Sequence, residues 1–467
     1  LTRPETKRSA RARWLISGGV AAVDRALRAG ASRSSSRSGL AVATALAAIA
    51  WWTQVLVPAL TEHGGPVRAW DLSALLVGAK VLAGQGAAGL YEHNATFYNA
   101  ADGKTFADAA AALGFDGVPT PFVQAPLVAW LARPLTALSY LAVVRGCMAL
   151  NVVSAVVGVV VCIELYAPSV WRSRLAVISV VGACAFFEPI RYAVYLGQTT
   201  PVIFLLAMLA LRVARRRRDA WAGGLLALPA FIKLTPLALA IPWLVRRRVK
   251  ALATLAVGLM ALGAASVTAT SLKLNLDYVA RIRQIGSITL VAYNNQSFIG
   301  TLARQGMSLD DVSKWRMITP SPAERIAAGA AVLTVLALFV RRRRTACSPL
   351  SDPFVQDGAS FLLLLLAPTI SWTHYFVFLI PLAMVTFRAL RLRGMDARLA
   401  AVLGLGPLVL CVRPLIPAQD EPLLLTPHTF VAGPTVAAAC YLVVLLVVHA
   451  RTFSAASDRL APSGVAQ

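Results

Sequence analysis

Residues 221–245, WAGGLLALPAFIKLTPLALAIPWLV, are bounded by the basic clusters Arg215 to Arg218 and Arg246 to Lys250. The run is apolar except for Lys233 and Thr235, and its 25 residues are too few for two full crossings of a bilayer, each of which needs about 20 residues. Basic clusters beside apolar stretches stay on the cytoplasmic side, so both ends of the run lie on one side. A pair of half-length helices, broken near Pro229 and Pro236 with Lys233 near the apex, satisfies both constraints. Broken helices are stable inside a membrane only where protein or a water-filled cavity meets the freed backbone groups. The run thus points to a polytopic membrane protein with a cavity at Lys233.

The composition agrees. Of 467 residues, 58% are apolar and only 14% are charged, where a soluble domain carries about 25% charged residues. Lys plus Arg number 45 against 21 Asp plus Glu, a net charge of +24. The basic residues sit in short runs between long apolar stretches, which is the pattern of cytoplasmic loops rather than of a nucleic-acid surface. Soluble enzyme, disulfide scaffold and DNA-binding domain are set aside. Cys147, Cys162, Cys184, Cys411 and Cys440 lie inside apolar stretches and Cys347 follows an arginine run; no pair has metal-ligand spacing, and they read as small core hydrophobes.

The clusters lay the chain across the membrane. Residues 1–38 are basic and Ser-rich without a signal-peptide core, and read as a cytoplasmic tail; a chain starting at Leu1 is trimmed or uses an unusual start codon. Residues 39–450 form the membrane domain. The first span is 39–59, followed by an outer loop over 60–118. Residues 175–194 and 200–214 form a hairpin, 251–271 go out, 272–325 make a second outer loop, and 326–340 return to Arg341 to Arg344. Residues 355–387 leave and return, 397–414 exit, and 429–449 come back to a cytoplasmic tail at 451–467. Residues 119–136 and 141–163 both look able to span, which leaves the parity around Arg172 and Arg174 open. The expected fold is an all-α polytopic integral membrane protein of about 10–12 transmembrane helices, with functional loops on its outer face.

This layout collects polar residues on one side: Asp71, Tyr91, Glu92, Glu188, Arg191, Tyr192, Gln198, Lys233, the run Tyr293 to Ser297, Trp372, His374 and Tyr375. An ionisable group at membrane depth costs roughly 2.5–3.5 kcal/mol on insertion scales, so it marks function by default. Lys233 is the sharpest case, because it sits too far from either basic cluster to snorkel to the cytoplasmic interface. Each of the others has a plainer reading. Asp71 suits a solvated loop acid or helix N-cap, and His374 a satisfied core histidine. Glu188 and Arg191 have the spacing of a pair along one helix, and Tyr293 to Ser297 suit an ordinary polar loop. The arginine runs are topology anchors.

At these residues the chain resembles the bacterial membrane glycosyltransferases of family GT87, which have a GT-C fold and take a sugar from a polyprenyl phosphate on the outer side of the inner membrane. The resemblance rests on Asp71 after the first span, Tyr91 some twenty residues on, and Pro119-Thr120-Pro121-Phe122-Val123-Gln124-Ala125-Pro126. It continues with Leu196-Gly197-Gln198, Ile232-Lys233-Leu234-Thr235-Pro236, Asn294-Asn295-Gln296-Ser297 and Ala367-Pro368-Thr369-Ile370-Ser371-Trp372-Thr373-His374-Tyr375. The motifs cover roughly residues 40–385; the family's aromatic-Pro-Pro entry is Phe-Val-Gln-Ala-Pro here. Mannosyl- and arabinofuranosyltransferases of mycobacterial envelope glycolipids belong to this family, with mannose the more common donor sugar.

The resemblance implies inverting transfer from a polyprenyl phosphosugar to a lipid or glycan hydroxyl. One carboxylate must take the hydroxyl proton, and Asp71 is that candidate, with His374 as second catalytic residue. The lipid phosphate leaves well and needs positive charge more than an acid, which assigns Lys233 and Arg191 to the donor phosphate. Tyr91, Gln198, Asn295, Gln296, Trp372 and Tyr375 would orient sugar or acceptor. No Asp-x-Asp pair occurs in the outer loops, so no metal and no cofactor are expected; partners are the lipid-linked donor, the acceptor and membrane lipids, without nucleic acid. A different class, a transporter or flippase, shares paired half-helices and intramembrane charge, but the sequence shows no internal repeat. A structural subunit of an envelope complex is the third reading.

Overall fold

The computed structural model describes residues 69–84, 87–91, 104–115, 119–171, 174–308, 311–312, 315–339, 353–412 and 432–458. The first span, the basic tail, Glu92 and Arg341 to Arg344 lie outside the described residues. The chain divides into two units, one of residues 1–61 with 168–186 and one of 62–167 with 187–467. In the first, the described elements are the short Pro168–Trp171 helix and the Arg174–Cys184 helix. All remaining elements belong to the second.

The protein is an all-α polytopic membrane protein. Among the described residues its strands are Thr289–Val291 and Arg316–Ile318, paired antiparallel with Leu290 opposite Met317. Among the described residues three helical stretches are long and apolar enough to cross a bilayer by themselves: Tyr140–Tyr166, Val249–Ala269 and Thr373–Leu392. Others, such as Pro353–Leu366 and Gly433–His449, are shorter apolar helices. Only 17% of the apolar window of Val249–Ala269 is buried, so Val257 and Met260 present an outward apolar face suited to lipid. Of the two stretches expected to span between 119 and 163, only the second is a long helix. Residues 119–125 are irregular, and the Pro126–Ala132 helix passes into a 3-10 turn at Arg133–Ala137. The stretch 175–194 is likewise divided, because the helix ending at Cys184 gives way to Glu188–Tyr195, which starts afresh at Pro189.

The interrupted helix forms at Lys233 but not where its prolines first suggest. Pro229 is accommodated inside the Asp219–Ile232 helix, and the break falls at Lys233, whose backbone is extended (φ −143°, ψ 128°). A 3-10 segment, Thr235–Ala240, then leads into Ile241–Val245. Pro236 lacks an N–H and starts that second half, where a missing donor costs nothing. The first half packs on Val249–Ala269 at Gly223, where an added Cβ would run into the carbonyl of Ala251.

At the arginine-rich ends of the helices five arginines, Arg212, Arg215, Arg216, Arg246 and Arg248, have acidic partners. Asp357, only 6% exposed, takes Arg215 at 2.8 Å and Arg246 at 3.6 Å and accepts a hydrogen bond from the Tyr166 hydroxyl. The Arg215 guanidinium also lies over the rings of Tyr166 and Phe354. Glu164 takes Arg212 and Arg216, and Asp219 takes Arg248. The reading of Arg215 to Arg218 as topology anchors is therefore incomplete, since Arg215 and Arg216 also tie helices together. Removing one partner of a buried ion pair strands the other charge at a cost of about 3–5 kcal/mol, discounted here because both arginines are about a third exposed. Asp357→Ala is expected to destabilise the protein by about 3 kcal/mol, seen as a lower melting midpoint in detergent, and Asp357→Glu by clearly less. Equal midpoints for Asp357→Ala and wild type would show that the network adds nothing.

Candidate active site

Asp71 occupies the first turn of the Trp70–Ala83 helix, where a carboxylate meets the positive end of the helix dipole. Its backbone is held from three sides. The amides of Asp71 and Leu72 donate to the carbonyl of Leu196, Thr120 Oγ1 donates to that of Trp70, and the Tyr140 hydroxyl donates to that of Ala69. The close approach to Leu196 depends on Gly197, which has φ +66° and whose missing Cβ would stand 2.8 Å from Leu72 Cβ. Any larger residue would be strained in that left-handed conformation and would push Asp71 away.

The same turn carries Gln198, whose side chain joins two charges. It hydrogen-bonds the Asp71 carboxylate, while its Oε1 accepts from Lys233 Nζ at 2.8 Å. Lys233 Nζ also donates to Thr200 Oγ1 at 3.2 Å and lies 4.3 Å from the centroid of the Tyr375 ring. Burial pushes the Asp71 carboxyl above the ordinary carboxylate range, against the opposing pull of the Gln198 amide and the Lys233 ammonium.

These groups line a cavity of about 530 Å³, a size that holds a sugar phosphate together with part of a second ligand. His374 enters it from the 3-10 turn Thr373–Phe378, with its ring stacked on Tyr192 and edge-on to Tyr375. Trp70, Trp315 and Trp372 supply aromatic surface, and Trp315 packs against Trp372 at 5.7 Å between centroids. Tyr278, Ile282 and Ile285 lie on one face of the Leu272–Ser287 helix and, with Ile232, Leu234 and Ile370, make an apolar wall. The cavity thus offers charge at one part of its lining and hydrocarbon at another. Four buried atoms of lining residues find no hydrogen-bond partner: Gln124 Oε1, Asn294 Oδ1 and both ring nitrogens of His374. An unpaired buried polar atom costs about 1–3 kcal/mol.

A profile of glycosyltransferase family 87 matches residues 122–368, more than half of the chain. The chain belongs to glycosyltransferase family 87. Within the family 87 match lie Lys233 and Asn294; Asp71 precedes it and His374 follows it. The chain is also 28% identical over 289 residues to the polyprenol-phosphate-mannose-dependent alpha-(1-2)-phosphatidylinositol mannoside mannosyltransferase of Mycolicibacterium smegmatis. That similarity covers 58% of this chain and 62% of the relative, so the chain spans less than two thirds of the relative's length. No solved structure matches the chain.

In this family 87 protein the structure brings Asp71, Gln198, Lys233, Trp372, His374 and Tyr375 to one cavity. Four sequence-derived candidates lie elsewhere. Arg191 gives Nε and Nη2 to the two oxygens of Glu188 at 2.8 and 3.0 Å, so its charge is already satisfied and it does not line the cavity. Tyr91 supports the wall from behind, donating its hydroxyl to the carbonyl of Gln124. Asn295 fastens two loops: its Oδ1 accepts from the amides of Ser297 and Ser371, and its Nδ2 donates to the carbonyl of Leu290. Gln296 is tied to the carbonyl of Tyr293 and to Thr435. Arg191, Tyr91, Asn295 and Gln296 do not line this cavity, and their side chains bond the partners just named. Residues lining the cavity that the sequence reading left without a role include Trp70, Gln124, Tyr192, Tyr278, Asn294 and Trp315. Gln124 and Asn294 stand inside quoted motifs, but nothing in the sequence separates Asn294 from its neighbour.

Proposed function

We propose that this family 87 protein transfers a mannosyl group from a polyprenyl phosphate to a hydroxyl of a lipid or glycan acceptor, with inversion, on the outer side of a bacterial inner membrane. The observation that carries this reading is the Asp71–Gln198–Lys233 chain at the edge of one cavity. A base and a phosphate-binding cation are both needed, yet side by side in a desolvated site they would neutralise each other. The intervening amide keeps Lys233 from closing on the carboxylate, so each retains capacity for substrate.

In this mechanism the acceptor hydroxyl approaches Asp71, which accepts its proton as the oxygen bonds to the anomeric carbon. The bond from that carbon to the phosphate oxygen breaks on the opposite face. Negative charge grows on the departing polyprenyl phosphate, where Lys233 Nζ stabilises it. His374, whose ring lies at the cavity lining with neither nitrogen bonded to protein, is the second candidate to donate an N–H to the same phosphate. Trp372 and Trp315 give a flat surface for the sugar, and the Tyr278–Ile285 face receives prenyl carbon.

The test is purified protein in detergent with polyprenyl phosphomannose and an envelope-lipid extract. Release of polyprenyl phosphate together with a mannosylated lipid supports the reading; an arabinofuranosyl donor used in its place changes only the sugar. Counterflow of intact donor without cleavage would replace enzyme by transporter. Because the leaving group is a monophosphate that Lys233 neutralises, turnover in excess chelator is expected within about twofold of the untreated rate. Loss of activity on chelation, restored by a divalent cation, would overturn the metal-free reading.

A further inference from the structure

Beside the arginines that hold acidic partners, the basic helix ends carry cations that hold none. Arg217, Arg218 and Lys250 line a cleft of about 550 Å³ together with Asp219, Ala220 and Trp221. All three cations are exposed, and among the described residues their side chains make no ion pair or hydrogen bond. Asp219 is already taken by Arg248, so the positive charge of the cleft is uncompensated.

The turn that builds the cleft puts charge where the backbone prefers glycine. After the Thr200–Arg215 helix, the Arg217 amide donates to the carbonyl of Ala214 and the Arg218 amide to that of Val213, and Arg217 has φ +60°. This is the helix-ending turn whose left-handed position suits glycine, and an L side chain is strained there. Arg247, at φ +51°, holds the same position in the turn before Val249–Ala269. Topology alone does not ask for this, because any position in the run would carry the same anchoring charge.

The cleft opens onto apolar surface. The Asp219–Ile232 and Val249–Ala269 helices run parallel, with Gly223 against Ala251 and Gly258 against Ala227. Helical spacing carries Ala220 on to Gly224 and Leu228, and Lys250 on to Val257 and Ala261, along one side of this pair, and all six are exposed. Trp221, 72% exposed, stands where charge gives way to apolar groove, as an indole does at a membrane interface. A ligand that uses the whole surface is anionic at one end and hydrocarbon at the other. A free phosphate or a nucleic acid would leave the groove bare. We propose that the cleft binds the headgroup phosphate of an anionic phospholipid whose acyl chains lie in the groove between these two helices. Basic pockets between membrane helices hold such headgroups.

The test uses the full chain in nonionic detergent, titrated with dioleoyl phosphatidylglycerol or dioleoyl phosphatidylcholine and read by native mass spectrometry. Wild type is expected to bind phosphatidylglycerol about 10–100-fold more tightly, from about fivefold for each cation near the phosphate. Arg217→Gln/Arg218→Gln/Lys250→Gln should bring the two lipids within about threefold. Arg217→Lys/Arg218→Lys/Lys250→Arg keeps the charges and should keep the preference, as should Arg391→Gln/Arg398→Gln at another helix end. Glycerol 3-phosphate, the headgroup without chains, should not displace the lipid at equal concentration. A second measurement is independent of whether the glutamine variant folds. Phosphatidylglycerol brominated on its chains should quench Trp221, isolated as the emission that Trp221→Phe lacks, several-fold more than brominated phosphatidylcholine does. The proposal is overturned if wild type shows no preference, if the glutamine variant retains it, or if Arg391→Gln/Arg398→Gln loses it equally. Displacement by glycerol 3-phosphate, or equal quenching of Trp221 by both brominated lipids, overturns it as well.

Discussion

Asp71→Asn is expected to lower kcat by about 10³-fold while leaving the fold intact, within the 10²–10⁴ range of a positioned general base. The amide keeps the size of the carboxyl and can still bond Gln198, so only the proton-accepting capacity is lost. The pH profile carries a second signature. Burial raises the Asp71 carboxyl above the ordinary carboxylate range, and a base works only when deprotonated. In wild type kcat/KM should rise with pH through that raised value, and the residual activity of Asp71→Asn should lack this limb. Stability runs the opposite way. A carboxyl whose folded pKa is raised favours the fold at low pH and loses that contribution as pH rises through the folded value. At neutral pH the asparagine variant should therefore melt at or above the wild-type midpoint. Near wild-type turnover in a well-folded Asp71→Asn protein would remove Asp71 from the chemistry.

The fold class was legible because it follows from coarse physics. Apolar runs punctuated by arginines admit few alternatives, and a lysine amid 25 apolar residues demands a cavity or an interface. Lys233 could be read for that reason, and so could Asp71 once its neighbours in the family pattern were considered. What the sequence hid was the direction in which adjacent polar side chains point. Asn294 and Asn295 are chemically identical, yet one faces the cavity while the other binds Ser297, Ser371 and Leu290. That difference arises from a crossing with the 371–373 segment that is far away in sequence. Arg191 shows the same limit in another form. Its spacing from Glu188 suited an ion pair and its charge suited a phosphate, and packing chose the pair. Gln198 was read as a sugar ligand, and its side chain lines the cavity while bonding Asp71 and Lys233, a link the sequence did not show. The interrupted helix was legible with Lys233 at its apex and Pro236 opening its second half, while Pro229 lies inside the first half rather than at the break.

Lys233→Met should lower kcat by about 10²–10³-fold, the scale seen when one preorganised donor is removed from developing charge in a closed site. Methionine fills the same volume without charge, and the variant removes a desolvated ammonium, so folding should hold. The division between kcat and KM is the informative part. If Lys233 acts on charge that appears only as the phosphate departs, kcat and kcat/KM fall together; a rise in KM alone would mean that it merely holds the donor. Lys233 also anchors Gln198 Oε1, so its loss frees the amide that orients Asp71. Gln198→Leu and Lys233→Met should consequently combine less than additively, as residues sharing one network do. Additive losses would mean that the two side chains act separately and that the bridge is incidental. Wild-type kcat in folded Lys233→Met would leave the departing phosphate without its cation and pass that role to His374.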